Sequence, residues 1–258
     1  VHPLAVLVAG ALLTSSPLAA AFGAPVHGRS PAGVGGPLAG VAIGIDPGHN
    51  GDNWLDPSFI DRPIWNGVGR ESCDTTGTAT DGGYTEAQFN WNVAVDARNI
   101  LRALGARVVL TRTSNHGVGP CVTTRALRLD RAHVDLAFDV HADGGPPTGR
   151  GFAILLPVRD RVNAHVVIPS LRLARVLRSA FRRVTGMPFS TYDGVEALQP
   201  RSDLAGLNLT TVPKVLIECG NMRNATDAAL LAEPSFQRRA ARALVAAAAA
   251  FLGRRVPR

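Results

Sequence analysis

Apolar residues recur along the chain in two rhythms. Residues 41–46, 107–111, 136–141, 151–156 and 214–218 are short, mostly apolar runs that stop at Pro, Gly or a polar residue. Runs of that length with little alternation read as strands buried on both faces. Between them, residues 86–104, 123–132, 169–184 and 235–252 read as helices. The first shows the spacing clearly. Phe89, Val93, Ile100 and Leu104 fall at helical intervals, and Gly105 suits a C-terminal cap. Strands alternating with helices predict an α/β fold with a mostly parallel central sheet and helices on both faces. Sites in such sheets form just beyond the carboxyl ends of the strands.

One segment breaks the rhythm. Residues 50–83 are polar and Gly-rich with no period. A loop of that length inside a compact domain is functional or pinned, and Cys73 is a candidate pin. Of the three cysteines, Cys73 and Cys121 lie in predicted loops, whereas Cys219 follows a buried-looking strand. In an oxidising compartment the expected pair is Cys73–Cys121, with Cys219 free.

The N-terminal residues point to such a compartment. An apolar run over residues 4–13 precedes Ser15, Ser16 and Pro17, then Ala19, Ala20 and Ala21. This has the form of a secretory signal peptide over residues 1–21, without the usual positive start. An uncleaved membrane anchor is the competing reading, and Pro17 with its small polar neighbours counts against it. Residues 22–38, rich in Gly, Pro and Ala, read as a flexible lead-in. Residues 39–254 are then expected to form one domain, which would carry whatever catalytic site the chain has. The final Ala run is about half the length a membrane span needs, so no stable span is expected after signal removal. The expected location is the periplasm or cell wall.

Charge narrows the partners. The net charge is +7, and every cation except Lys214 is Arg. A basic chain favours anionic partners. Nucleic acid is not expected, because no lysine-rich block, RNA-binding aromatic motif or DNA-reading helix signature is present. With no long heptad pattern or self-pairing edge, a monomer is expected.

Three strands end in residues that can do chemistry: Asp46-Pro47-Gly48-His49, Asp139-Val140-His141, and Leu216-Ile217-Glu218. Glu86 opens the first long helix and can reach the same edge. Two histidines and a carboxylate form a catalytic zinc set that leaves a fourth position for water. A further, unligated carboxylate then serves as general base. Glu218 suits that role, since burial beside a strand raises a carboxyl pKa. Taken singly, each residue has an ordinary structural reading: a packed histidine, a helix-start carboxylate, a carboxylate bonding loop amides. No GxSxG elbow or phosphate-binding GK[ST] loop occurs. Cys219 sits in an apolar context that makes an inert thiol.

At these residues the chain resembles the zinc amidases of the amidase type 3 family, which cleave N-acetylmuramoyl-L-alanine bonds in peptidoglycan. The resemblance runs from about Val41 to Leu252. The family's D-x-G-H matches Asp46 to His49, its helix-start Glu matches Glu86, and its T-R matches Thr111-Arg112. An Arg on the next helix matches Arg125. The S-x-H-A-N/D element matches through His141-Ala142-Asp143. The late P-x-x-L-x-E-x-G element matches Pro213 to Gly220. Departures are Asn50 for Gly, Asp139 for Ser, Asn221 for Phe, and a longer segment between His49 and Glu86. The resemblance implies a single-domain enzyme with Zn2+ held by His49, Glu86 and His141, and with Glu218 as catalytic base. It implies peptidoglycan and muropeptide fragments as substrate. Arg112 and Arg125 become candidates for substrate contact, against the reading that they bond loop carbonyls. Asn224 is expected to cap the following helix. A non-catalytic peptidoglycan-binding or activator protein on the same fold is the alternative.

Overall fold

The computed structural model describes residues 35–257. In chain order they form β1 (Ala42–Pro47), α1 (Pro57–Ile60), β2 (Pro63–Trp65), β3 (Arg70–Ser72), α2 (Glu86–Ala103), β4 (Arg107–Leu110), α3 (Val122–Arg131), β5 (Leu136–Asp143), β6 (Ala153–Pro157), α4 (Val167–Thr185), β7 (Leu198–Arg201), α5 (Ala205–Asn208), β8 (Lys214–Asn221), α6 (Ala225–Ala232) and α7 (Pro234–Phe251). The main sheet runs β4-β1-β5-β8-β6-β7. Its pairings are parallel except where β6 meets β8.

The two-residue period of a strand divides the sheet into unlike faces. Ile43 and Ile45 of β1, Phe138 and Val140 of β5, and Val215 and Ile217 of β8 point into one large core. There they meet Phe89 and Leu101 of α2, Leu173 and Phe181 of α4, and Leu244 of α7. The opposite face is thinner. Ala42 and Ala137 pack on Leu129 of α3, and Leu155 and Leu216 pack on Leu207 of α5. Gly44 lets α3 approach, since a Cβ there would lie 2.6 Å from Leu129 Cδ2. By the same parity, Asp46, Asp139, His141, Lys214 and Glu218 all belong to the thin face. The sheet therefore gathers its polar residues on one side without exposing the hydrophobic core.

The helix ends follow local chemistry. Thr85 caps α2 by accepting from Gln88 N. Gly186, at φ +76°, closes α4 in the left-handed conformation that glycine adopts without steric cost. Asn224 caps α6 by accepting from Thr226 N and Asp227 N, as expected.

The 50–83 segment is not structureless. It holds a short 3-10 turn at Asn53–Leu55, then α1 and the β2–β3 hairpin. A Cys73–Cys121 disulfide pins it, and Cys219 is free and buried. The lead-in ends earlier than residue 38. Leu38 is fully buried in the large core, and its N–H donates to Leu104 O at 2.9 Å. The 1–21 segment and most of the lead-in lie outside the described residues. No helix among the described residues is long and apolar enough to cross a membrane.

Candidate metal centre

His49 lies just past the carboxyl end of β1, with its backbone in the left-handed region at φ +57°. That conformation is uncommon for a residue with a side chain and persists where surroundings enforce it. The chain has left the sheet here, so the carbonyls of Pro47, Gly48 and His49 need donors from elsewhere. Two arginines provide them. Arg112 Nε donates to Pro47 O at 2.9 Å and its Nη2 to Gly48 O and Ala87 O. Arg125 Nη1 donates to Pro47 O and its Nη2 to His49 O, both at 2.8 Å. Both side chains are 2 % exposed. Of the two readings of these residues, the structure bears out the bonding of loop carbonyls and corrects the substrate contact: both guanidinium groups are buried in the scaffold that shapes the His49 turn. Gly48 completes the turn, since a Cβ there would overlap the His141 ring.

Glu86, the first residue of α2, reaches both histidines. Its Oε2 lies 3.1 Å from His49 Nε2 and its Oε1 lies 2.8 Å from His141 Nδ1. Thr78 N donates to Oε2 at 3.0 Å, and Ala142 N donates to Oε1 at 3.2 Å, so the carboxylate is held in one orientation. One ligating atom from each of the three residues falls within 4.8 Å of the other two.

The outer nitrogens have acidic neighbours. His141 Nε2 lies 3.3 Å from Asp139 Oδ1. His49 Nδ1 lies 3.5 Å from Asp74 Oδ1, and 3.1 Å from both the Thr75 carbonyl and hydroxyl oxygens. Behind them Lys214 Nζ joins Asp46 and Asp139 at 2.8 and 3.0 Å. Arg125 joins Asp46 and Asp74 at 3.2 and 2.9 Å. Burial disfavours charge on His49, but Glu86 and Asp74 outweigh it and raise its pKa to about 9. His141 is raised for the same kind of reason, burial being overcome by Asp139 and Glu86. Glu86 is held well below the usual carboxylate range: burial opposes this, and the two histidines overcome it.

Glu218 is different. It pairs in register with His141 across β5 and β8. Its Oε2 is buried without a hydrogen-bond partner. Burial, reinforced by Glu86 and Asp143 and opposed by His141, lifts its pKa well above the usual range. Nearby, Tyr192 donates its hydroxyl to Asp143 Oδ2 at 2.8 Å. A cavity of about 290 Å3 opens beside His49 and His141, walled by Glu71, Val122, Leu204 and Leu207.

All four expected centre residues thus converge. Sequence reasoning missed Asp74, Thr75 and Tyr192. The hairpin that walls the cavity carried an available signal, the Asn66-Gly67 turn dipeptide. Asp74 and Thr75 had none beyond adjacency to Cys73.

An open α/β sheet with a His–Glu–His cluster able to hold a metal at its strand ends, and a half-buried carboxylate with one unpartnered oxygen alongside, is a layout suited to hydrolysis. The chain belongs to the N-acetylmuramoyl-L-alanine amidase family, Amidase_3, whose model matches residues 43–250. It is 39% identical over 216 residues to the N-acetylmuramoyl-L-alanine amidase Rv3717 of Mycobacterium tuberculosis, covering 83% of this chain and 88% of that one. The solved N-acetylmuramyl-L-alanine amidase Ami1 of Mycobacterium smegmatis matches with TM-score 0.78 and 41% identity, over 84% of this chain and 98% of that one. Ami1 of Mycobacterium abscessus matches with TM-score 0.78 and 40% identity, over 83% and 100%.

Proposed function

We propose that this chain is an exported, zinc-dependent N-acetylmuramoyl-L-alanine amidase. It hydrolyses the amide bond between N-acetylmuramic acid and the L-alanine of the stem peptide, in the remodelling of peptidoglycan. The observation that carries this reading is the His49–Glu86–His141 cluster with the unpartnered Glu218 Oε2 beside it.

The donor set fits zinc. Two imidazole nitrogens and a carboxylate are ligands this borderline-soft cation accepts, and three protein ligands leave a position open. Bound zinc supplies Lewis acidity, which polarises a carbonyl and acidifies water near neutral pH. The remaining roles belong to the chain. Glu218 Oε2 takes a proton from the attacking water and returns it to the leaving amine nitrogen. Its raised pKa suits it to hold that proton between the two transfers. Arg112 and Arg125 fix the His49 turn, and Glu86 is oriented by Thr78 N and Ala142 N.

The test couples metal analysis to digestion of a defined muropeptide. Wild type is expected to carry one zinc per chain and to release free stem peptide. Glu218→Gln is expected to keep zinc and to lose activity by about 10²- to 10⁴-fold, the usual worth of a general base. Retained activity in that variant would remove the role given to Glu218. Binding of peptidoglycan by zinc-loaded wild type without cleavage would favour the non-catalytic alternative.

A further inference from the structure

The long segment between β1 and α2 returns to the centre at one place. Cys73 is fully buried and cross-linked to Cys121, the residue that precedes the first turn of α3. A backbone bond doubles the link, Val122 N donating to Cys73 O at 2.8 Å. The next residue, Asp74, is 3 % exposed. Its Oδ2 accepts from Arg125 Nη2, on the helix that Cys121 begins, at 2.9 Å. Its Oδ1 faces His49 Nδ1, with the Thr75 carbonyl beside it. The carboxylate and the carbonyl only accept, and the Thr75 hydroxyl, also 3.1 Å from Nδ1, can accept with them, so together they favour the imidazole proton on Nδ1. In the metal-free protein Nε2 shares a proton with Glu86 Oε2 at 3.1 Å; when a metal displaces that proton, the one kept on Nδ1 leaves the Nε2 lone pair as the metal donor.

We propose that Asp74 is the positioning residue for His49, and that the Cys73–Cys121 cross-link acts through Asp74 to set how tightly the centre holds its metal. The proposal rests on the zinc reading given above. The cross-link joins the loop to α3, and α3 carries Arg125. Arg125 in turn holds both the Asp74 carboxylate and the His49 carbonyl. Loop, helix and ligand are thereby fixed as one unit, with Asp74, among the described residues, as the one carboxylate outside the donor set that contacts the His49 ring.

Asp74→Asn is the decisive variant. Arg125 Nη2 donates to Asp74 Oδ2 and Thr75 N to Oδ1; the charged donor takes the amide oxygen, so the amide NH2 faces Thr75 N and His49 Nδ1. That arrangement favours the tautomer protonated on Nε2, the atom that must bind metal. Arg125 keeps Asp46 as a partner, so the variant has a charged contact left to fold around. Zinc affinity is measured by competition with a chromophoric chelator on wild type, Asp74→Asn, Cys73→Ser/Cys121→Ser, and the triple variant. Asp74→Asn is expected to bind zinc about 10-fold or more weaker, the usual cost of losing an outer partner of a ligand. The double serine variant is expected to weaken binding as well. The triple variant is expected to be no weaker than Asp74→Asn, because the cross-link acts through that residue.

A purely structural role gives a different pattern, with a lower melting temperature of the metal-free protein and unchanged zinc affinity. Wild-type affinity in a natively folded Asp74→Asn overturns the proposal. So does additive weakening in the triple variant. If the double serine variant does not fold, the Asp74→Asn arm decides alone. Absence of zinc binding by wild type is a separate result that refutes the metal reading itself.

Discussion

His49 is constrained from several sides at once. Its backbone is left-handed, its carbonyl is bonded to Arg125, and its ring lies between Glu86 and the Asp74–Thr75 pair. In the metal-free protein its pKa rises from 6.5 to about 9, since Glu86 and Asp74 overcome the burial that opposes its charge. The sign of the consequence follows from linkage. A group whose folded pKa exceeds its unfolded value stabilises fully below the unfolded pKa, and that stability is lost as pH rises through the folded one. Chelator-treated protein is therefore expected to lose melting temperature between pH 6.5 and about 9. Zinc-loaded protein should lack most of that decline, because His49 Nε2 would hold the metal in place of the proton. Thermal melts across this range, with and without zinc, make the comparison. A metal-free protein that grows more stable toward pH 9 would contradict the assignment.

At the scale of elements, the thin face of the sheet is organised around charge. Lys214 at the start of β8 ties Asp46 of β1 to Asp139 of β5, and Arg125 of α3 closes the group from above. Burial disfavours the ionised form of Asp46, but Lys214 and Arg125 more than compensate and hold its pKa below the usual range. Lys214→Met keeps the length of the side chain but leaves two carboxylates facing each other. Breaking a buried ion pair on one side costs about 3–5 kcal/mol. Urea unfolding of this variant should show a loss of that order, and a loss under about 1 kcal/mol would mean that Arg125 alone satisfies the group.

Once the strand bounds are known, parity accounts for this arrangement, which the mostly apolar runs of the sequence did not show by themselves. Asp46, Asp139, His141, Lys214 and Glu218 alternate with residues that are plainly core, so their common face follows from period two. The hairpin was harder to see, because β2 and β3 have three residues each and no buried stripe. The antiparallel entry of β6 and the short α5 arise from contacts distant in sequence. The roles of Arg112 and Arg125 depended on which carbonyls the β1 turn would leave unpaired, and no spacing rule shows that. Asp74 reaches His49 from a loop distant in sequence, held against α3 by the Cys73–Cys121 disulfide and the Val122 N–Cys73 O bond.

For the molecule as a whole, burial sharpens the charge balance. Among the described residues, the buried charged side chains comprise five carboxylates, Asp46, Asp74, Glu86, Asp139 and Asp227, against three cations, Arg112, Arg125 and Lys214. Removing them from view leaves a surface more basic than the chain's +7. Residues 1–21 contain no charged side chain, so loss of that segment would not alter the balance. A diffuse basic surface attracts an anionic wall polymer over distances that salt controls, since the screening length falls from about 10 Å at 0.1 M to about 3 Å at 1 M. The centre differs, because its charges are buried and paired over short distances and are screened far less. Binding to insoluble peptidoglycan and turnover of a small soluble muropeptide should therefore respond differently to salt. Sedimentation with sacculi is expected to fall several-fold between about 0.05 and about 0.5 M salt, a range over which screening of exposed charges rises steeply. Cleavage of the soluble fragment is expected to change much less. Equal loss of both would place the salt-sensitive charges in the cleft, and no loss of either would mean that the basic surface plays no part in finding the wall.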